Sequence, residues 1–148
     1  MTGTGYAKLL EHEGEVLHAY RDSQGFLTIG VGHLIDPARG GSIPQRVSRE
    51  LFEDDIARAT ASTRAHFGDW FDGLDAVRQD VIVMLVFNMG VGGLEGFRLM
   101  IEAIKQQDWQ QAAYELFNSK WAKQVQAERV KDLCDALEHS RWEHPSFV

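Results

Sequence analysis

The 148-residue chain is 44% hydrophobic and 25% charged, which is enough apolar material for the core of one globular domain. Its formal net charge of −7 argues against nucleic acid as the main partner, because duplex binding requires a basic surface. The one cysteine, Cys134, excludes an intramolecular disulfide and a cysteine-based zinc cluster. It lies in the apolar-periodic stretch VKDLCDAL, so we expect a buried thiol.

The N-terminal stretch MTGTGYAKLLEHEGE has no basic segment followed by an apolar one, so we expect no secretory signal. The longest uninterrupted apolar run, 81–87, is too short to span a bilayer, which predicts no stable membrane insertion.

The first element in the chain is predicted to be a short amphipathic helix over 4–13, ended by Gly14. After Gly14 the spacing of the apolar residues changes, and they recur at every second position. Tyr20, a turn over 22–25 and the run FLTIGV at 26–31 predict a β-hairpin. The stretch PARGGSIP, 37–44, is predicted to be a loop by its proline and glycine content.

The rest of the chain is predicted to be helical. A first helix over about 46–65 carries an apolar stripe, and a second over 74–90 has the all-round apolar character of a core helix that Gly90 ends. The stripe of the first helix consists of Val47, Leu51, Phe52 and Ile56. Three further helices are predicted, over about 97–106, 109–118 and 120–138. The fold class is α+β: one domain over 1–148, with a small β-containing lobe (14–45) joined by a long helix to a helical lobe (1–13 and 65–148).

Two carboxylates in the N-terminal region suit glycosidic chemistry. Glu13 ends the first helix, where the negative end of the helix dipole favours the protonated acid, whereas Asp22 lies in a polar turn, where we expect a carboxylate. Such a pair can protonate a leaving oxygen and activate water at a sugar ring. Two exposed surface acids would have the same spacing, so the spacing alone leaves both interpretations open.

The strand FLTIGVGH is predicted to present two unlike faces. Thr28, Gly30 and Gly32 share one face, left open for a bulky ligand with one hydroxyl to hold a water, and the alternating apolar residues pack on the other. The glycines alternatively allow only a tightly twisted hairpin.

The whole run EGEVLHAYRDSQGFLTIGVGH closely resembles the phage-type lysozymes, glycoside hydrolase family 24, of the T-even bacteriophage type. The resemblance continues over 74–97 and 108–121, and only the shorter region around 35–50 departs from it.

The resemblance implies a role for each matched residue. Glu13 is expected to be the general acid, Asp22 to assist the attacking water or stabilise positive charge, and Thr28 to lie beside that water. The expected substrate-binding residues are Gly32, Leu34, Phe87, Asn88 and Lys120. The expected structural residues are His33, which would pair with Asp55, and Arg129. No metal or organic cofactor is implied.

The implied function is an inverting muramidase that cleaves the β-1,4 bond between N-acetylmuramic acid and N-acetylglucosamine in peptidoglycan. We expect a monomeric endolysin that waits in the host cytoplasm and acts on the cell wall at lysis. A toxin or virion domain, a catalytically silent wall-binding domain and anhydro-forming transglycosylation remain alternatives. Six basic and four acidic residues between 98 and 131 predict weak, salt-sensitive capture of the anionic wall.

Overall fold

The structure is a computed structural model that describes residues 1–142; the end of the C-terminal tail, 143–148, lies outside the described residues. The elements in chain order are helix α1 (Gly3–Glu13), strands β1 (Val16–Arg21), β2 (Leu27–Gly30) and β3 (His33–Leu34), a 3-10 turn (Pro37–Arg39), and helices α2 (Gln45–Phe71), α3 (Ala76–Glu95), α4 (Arg98–Lys105), α5 (Trp109–Phe117), α6 (Lys120–Gln124) and α7 (Ala127–His139). A small antiparallel sheet followed by helices confirms the predicted α+β class.

The chain forms two compact units, Met1–Leu51 and Phe52–Val148. Helix α1 belongs to the same unit as the sheet, whereas the division drawn from sequence grouped 1–13 with the helical lobe. Helix α2 begins in the first unit and continues into the second.

The N-terminal unit contains the predicted hairpin and a third strand that the sequence did not predict. In β1 and β2, Tyr20 lies opposite Thr28, and in β2 and β3, Thr28 lies opposite Leu34. Strand β3 is only two residues long, too short to show a period-two pattern.

The N-terminal unit lacks an apolar core. Its two buried residues are polar, Thr28 at 4% exposure and Asp36 at 8%. A sheet this small gains little from apolar burial, so its geometry depends on backbone hydrogen bonds and on the side chains that complete them.

Helix α2 buries a different face from the predicted stripe. Its buried residues are spaced by four: Ala59, Thr63, Phe67 and Phe71. The predicted stripe was wrong as a core face, because Leu51, Phe52 and Ile56 are 53%, 47% and 38% exposed. The helix also continues to residue 71, past the predicted end at 65, because the i, i+4 pattern of buried side chains continues through Phe67 and Phe71.

Helix α3 is the central helix of the second unit, and Val81, Ile82 and Leu85 on it are fully buried. Gly90 breaks the helical path with φ 75° and ψ 169°, at the residue where the helix was predicted to end, but α3 continues beyond this kink to Glu95. By length and composition alone α3 could also cross a bilayer. Its kink and its core-facing residues are those of a buried helix in a globular unit.

The C-terminal unit holds all the buried apolar side chains of the described chain, which lie between residues 59 and 137. Cys134 is among them, as predicted. The helix predicted over 120–138 is two helices, α6 and α7, because Val125 is extended, with φ −111° and ψ 169°. No glycine or proline marks this break in the sequence.

Candidate active site

Glu13 is the last residue of α1. Gly14 ends the helix with φ 70°, and its N–H donates to the carbonyl of Leu10. The Glu13 side chain is exposed and lies against Gly32, where an added β-carbon would be 2.8 Å from Glu13 Oε2. The helix end thereby places one carboxylate beside the turn between β2 and β3.

Asp22 organises the turn between β1 and β2. The N–H groups of Gln24 and Phe26 both donate to Oδ1 of Asp22, each at 2.9 Å. The Asp22 N–H in turn donates to the Phe26 carbonyl at 2.9 Å. This pattern is the Asx turn expected of an aspartate at the start of a tight loop, and it fixes the carboxylate against the backbone.

Thr28 is bonded to the same loop. Its hydroxyl donates to the carbonyl of Phe26 at 3.1 Å, which leaves the oxygen lone pairs as acceptors. Phe26 therefore contacts Asp22 through its N–H and Thr28 through its carbonyl. Two of the three predicted catalytic residues belong to one hydrogen-bonded loop.

The predicted open face of β2 was wrong. Thr28 is 4% exposed, whereas Val31, assigned to the packed face, is 40% exposed. The physical reason is Gly30, whose φ of 66° ends the strand and with it the period-two alternation. Val31 and Gly32 lie in a turn.

The remaining predicted residues of the N-terminal unit lie on β3. Leu34 is partly buried opposite Thr28. His33 is exposed, and its Nε2–H donates to the carbonyl of Ser42 at 2.7 Å. Asp55, its expected partner, forms an ion pair with Arg58 on α2 at 2.8 Å. The pairing of His33 with Asp55 stays a prediction.

In the C-terminal unit, Phe87 and Asn88 lie next to each other on α3. Phe87 is 47% exposed and packs edge-on against Phe52, with ring centroids 6.0 Å apart. Asn88 Oδ1 accepts a hydrogen bond from the indole Nε1 of Trp121 at 2.7 Å. Because the indole only donates, this bond fixes the amide and leaves the Asn88 Nδ2 group free to donate. No sequence pattern predicted that the Trp121 indole would donate a hydrogen bond to Asn88.

Two hollows in the C-terminal unit include the other predicted residues. Phe87, Asn88 and Arg129 line a largely apolar cavity of about 670 Å³. Lys120 and Arg98 line a second cavity of about 370 Å³.

Three lysines of the predicted basic stretch, Lys105, Lys120 and Lys123, are all exposed. Within residues 1–142, no three His, Cys, Asp or Glu side chains lie close enough to hold a metal ion together.

A family model described as phage lysozyme matches residues 10–143 of the chain. The chain belongs to the phage lysozyme family. The chain is 31% identical over 138 residues to the probable T4-type lysozyme 1 of Dictyostelium discoideum, an alignment that covers 76% of this chain and 81% of that protein. It is also 32% identical over 103 residues to the endolysin of Salmonella phage P22, which covers 65% of this chain and 67% of the endolysin.

A third relative is much longer. The pre-baseplate central spike protein Gp5 of Enterobacteria phage T4 is 30% identical over 141 residues, which cover 79% of this chain but 24% of that protein. Membership of the family makes the protein a glycoside hydrolase of the muramidase type.

Proposed function

We propose that the protein hydrolyses the β-1,4 bond between N-acetylmuramic acid and N-acetylglucosamine in peptidoglycan, with inversion at the anomeric carbon. The observation that carries the proposal is the hydrogen-bonded loop that joins Asp22 and Thr28 through Phe26, while Glu13 lies against Gly32 in the same unit. An inverting glycosidase requires a pair of Asp or Glu carboxyl groups, and in this proposal Glu13 and Asp22 are that pair.

In this mechanism Glu13 protonates the leaving glycosidic oxygen. Its exposed position at the end of a helix leaves the carboxyl accessible to a bound saccharide. Asp22 orients the attacking water or stabilises positive charge at the ring, and Thr28 accepts a hydrogen bond from that water. Inversion requires about 6.5–9.5 Å between the two carboxyl groups, because the water must fit between them.

Five further residues are proposed to bind the saccharide: Gly32, Leu34, Phe87, Asn88 and Lys120. Asn88 is suited to this role because it is exposed and its amide orientation is fixed by the Trp121 indole, which leaves the Nδ2 group as a donor. Lys120 contributes a point charge without the planar fork of arginine. His33, Asp55 and Arg129 are proposed as structural support.

Product analysis tests the reaction. Purified peptidoglycan is digested, and the fragments are identified by mass spectrometry. Hydrolysis yields N-acetylmuramic acid with a free reducing end, one water heavier than the 1,6-anhydro product of transglycosylation. Proton NMR of the first products should show the α anomer, because inversion of a β bond gives α. Anhydro fragments or an initial β anomer would overturn the mechanism.

The proposed biological role is that of a monomeric endolysin, held in the host cytoplasm until the membrane is breached. The similarity to the P22 endolysin supports it, and the similarity to the T4 spike protein favours a virion-associated role as the second candidate. Expression in the cytoplasm of a Gram-negative host tests the endolysin role. An endolysin leaves the cells intact until chloroform permeabilises the membrane, and then lyses them. Spontaneous lysis before chloroform would contradict the endolysin role.

A further inference from the structure

Asp36 is a carboxylate that the proposed mechanism does not use, and it is one of two buried residues in the N-terminal unit. Its side chain accepts two backbone hydrogen bonds, from Leu27 N–H to Oδ2 at 3.1 Å and from Ala38 N–H to Oδ1 at 3.0 Å. Its own carbonyl accepts from Gly41 N–H at 2.9 Å. Asp36 therefore joins strand β2 to the loop that follows β3.

The hydrogen bond from the Leu27 N–H to the Asp36 carboxylate takes the place of a backbone hydrogen bond between two strands of the sheet. Strand β3 ends at Leu34, and beyond it the Leu27 carbonyl accepts from the N–H groups of Ile35 and Asp36, at 2.9 and 3.1 Å. The Leu27 N–H has no backbone acceptor at this edge, because its acceptor is the Asp36 carboxylate. One side chain thus completes the pairing of β2 where the backbone of β3 has ended.

Leu27 lies between the two halves of the proposed catalytic loop. The residue before it, Phe26, holds Asp22 and accepts from the Thr28 hydroxyl, and the residue after it is Thr28. Any shift of the Leu27 backbone therefore moves both groups. The unit has no buried apolar side chain to hold β2 in place by packing.

The surrounding loop is built tightly around Asp36. A β-carbon on Gly41 would lie 2.7 Å from the Asp36 nitrogen and 2.6 Å from the Ile35 carbonyl carbon, so residue 41 must be glycine for the loop to close. This loop lies in the region, about 35–50, where the sequence departs from the family resemblance.

We propose that Asp36 is a positioning residue, whose carboxylate clamps the Leu27 N–H and thereby holds Asp22 and Thr28 in catalytic geometry. The proposal rests on the muramidase mechanism above. It assigns to Asp36 an effect on the chemical step, exerted through the backbone and without contact with the substrate.

Two substitutions separate this role from simple stabilisation. Asp36→Asn keeps the shape but offers a single acceptor oxygen to two N–H groups, so it can no longer accept from both Leu27 and Ala38. Asp36→Ser is short: it can cap the 3-10 turn at Ala38 but does not reach Leu27. The matched control is Asp75→Asn, which weakens another capping carboxylate, at the start of α3 in the other unit.

The measurement is kcat and KM on soluble glycan strands, well below the unfolding midpoint of each variant. We expect both Asp36 variants to lose about 10- to 100-fold in kcat with a small change in KM, because displacement of a catalytic group by a fraction of an ångström slows chemistry more than binding. Asp75→Asn should keep the wild-type kcat. Wild-type kcat in folded Asp36 variants would overturn the proposal, whereas an inactive wild type would overturn the proposed function instead.

A double-mutant cycle with Thr28→Val sharpens the test. If Asp36 acts through Thr28, the two losses in kcat are less than additive, whereas Asp75→Asn and Thr28→Val combine additively. Additive losses for Asp36 and Thr28 would contradict the proposed route.

Hydrogen exchange in the wild type is a second test, which does not depend on a variant that folds. The Leu27 N–H should be protected from exchange, because the Asp36 carboxylate accepts its hydrogen bond. Exchange of the Leu27 amide at the rate of an open loop would overturn the proposal.

Discussion

The Glu13 carboxylate lies against the backbone of Gly32, where a β-carbon would be 2.8 Å from Oε2. Gly32 also has φ 65°, in the left-handed region that favours glycine. Two independent constraints, backbone conformation and the space taken by Glu13, therefore act on one residue. Any side chain at position 32 must strain the turn and displace the proposed general acid.

Gly32→Ala is expected to lower both stability and activity. The left-handed conformation should cost about 1–2 kcal/mol for alanine, and the displaced Glu13 should lower kcat. Gly90→Ala is the matched control, because Gly90 has φ 75° and nothing within 4 Å of an added β-carbon. Urea unfolding should show a loss of stability for both variants, and kcat should fall only for Gly32→Ala. Equal kcat in the two variants would argue against a role for the Glu13 contact.

Arg78→Ala is expected to destabilise the C-terminal unit by about 2–4 kcal/mol. The Arg78 side chain is only 11% exposed and stacks on Trp109, 3.8 Å from the ring centroid. It also donates to the carbonyls of Leu137 and Glu138, each at 2.7 Å, and so attaches the end of α7 to α3.

Arg78→Lys should recover little of this loss, because one ammonium group cannot reproduce the planar fork. Urea unfolding measures both variants. Full stability in the lysine variant would show that charge alone, and not the geometry of the guanidinium, holds the end of α7.

Acid is expected to destabilise the folded protein through two aspartates. Backbone hydrogen bonds from Leu27 and Ala38 lower the pKa of Asp36. Burial acts to raise the pKa of Asp75, but hydrogen bonds from Ser140 and Arg78, together with the Arg78 charge, outweigh it and lower the pKa. An unfolded aspartate has a pKa of about 3.9.

Because both folded pKa values lie below the unfolded one, the stabilisation is complete above about pH 4 and is lost as pH falls through the lowered values. The free energy of unfolding should therefore decline in acid, and the decline should be shallower in Asp75→Asn. Denaturant titrations from pH 6 downward measure it. An unchanged slope in Asp75→Asn would contradict the assignment to this residue.

The elements with a strong local signal were predictable from sequence. Gly14 and Gly90 end or interrupt helices where the left-handed backbone requires glycine, and both appear in the sequence as breaks in an apolar period. The turn at Asp22 was predictable for a similar reason, since aspartate and glycine three residues apart are typical of such turns. The order of sheet and helices followed from these signals.

Features set by tertiary context were not predictable. The buried face of α2 runs through Thr63, a polar residue whose hydroxyl bonds to the carbonyl of Ala59 at 2.7 Å, and no hydropathy pattern selects it over Phe52. The two-residue strand β3 has no periodicity of its own.

The capping role of Asp36 could have been predicted from the sequence, because an aspartate followed by a proline is a typical start of a capped turn. The sequence placed it in a loop, and only its bond to Leu27 across nine residues reveals its position in the sheet. For the catalytic groups, spacing raised the hypothesis of an acid pair, but the resemblance of the full motif was needed to assign their roles.

The central claim, that Glu13 is the general acid of a muramidase, is tested most directly by the rate of reducing-end release from purified peptidoglycan. Wild type, Glu13→Gln and Glu15→Gln are compared at equal folded concentration, and Glu15 is the control because it is an exposed acid two residues away. Glu13→Gln should be slower by at least about 100-fold, because a glutamine cannot deliver the proton, while Glu15→Gln should match the wild type. Release by Glu13→Gln at the wild-type rate would contradict the account.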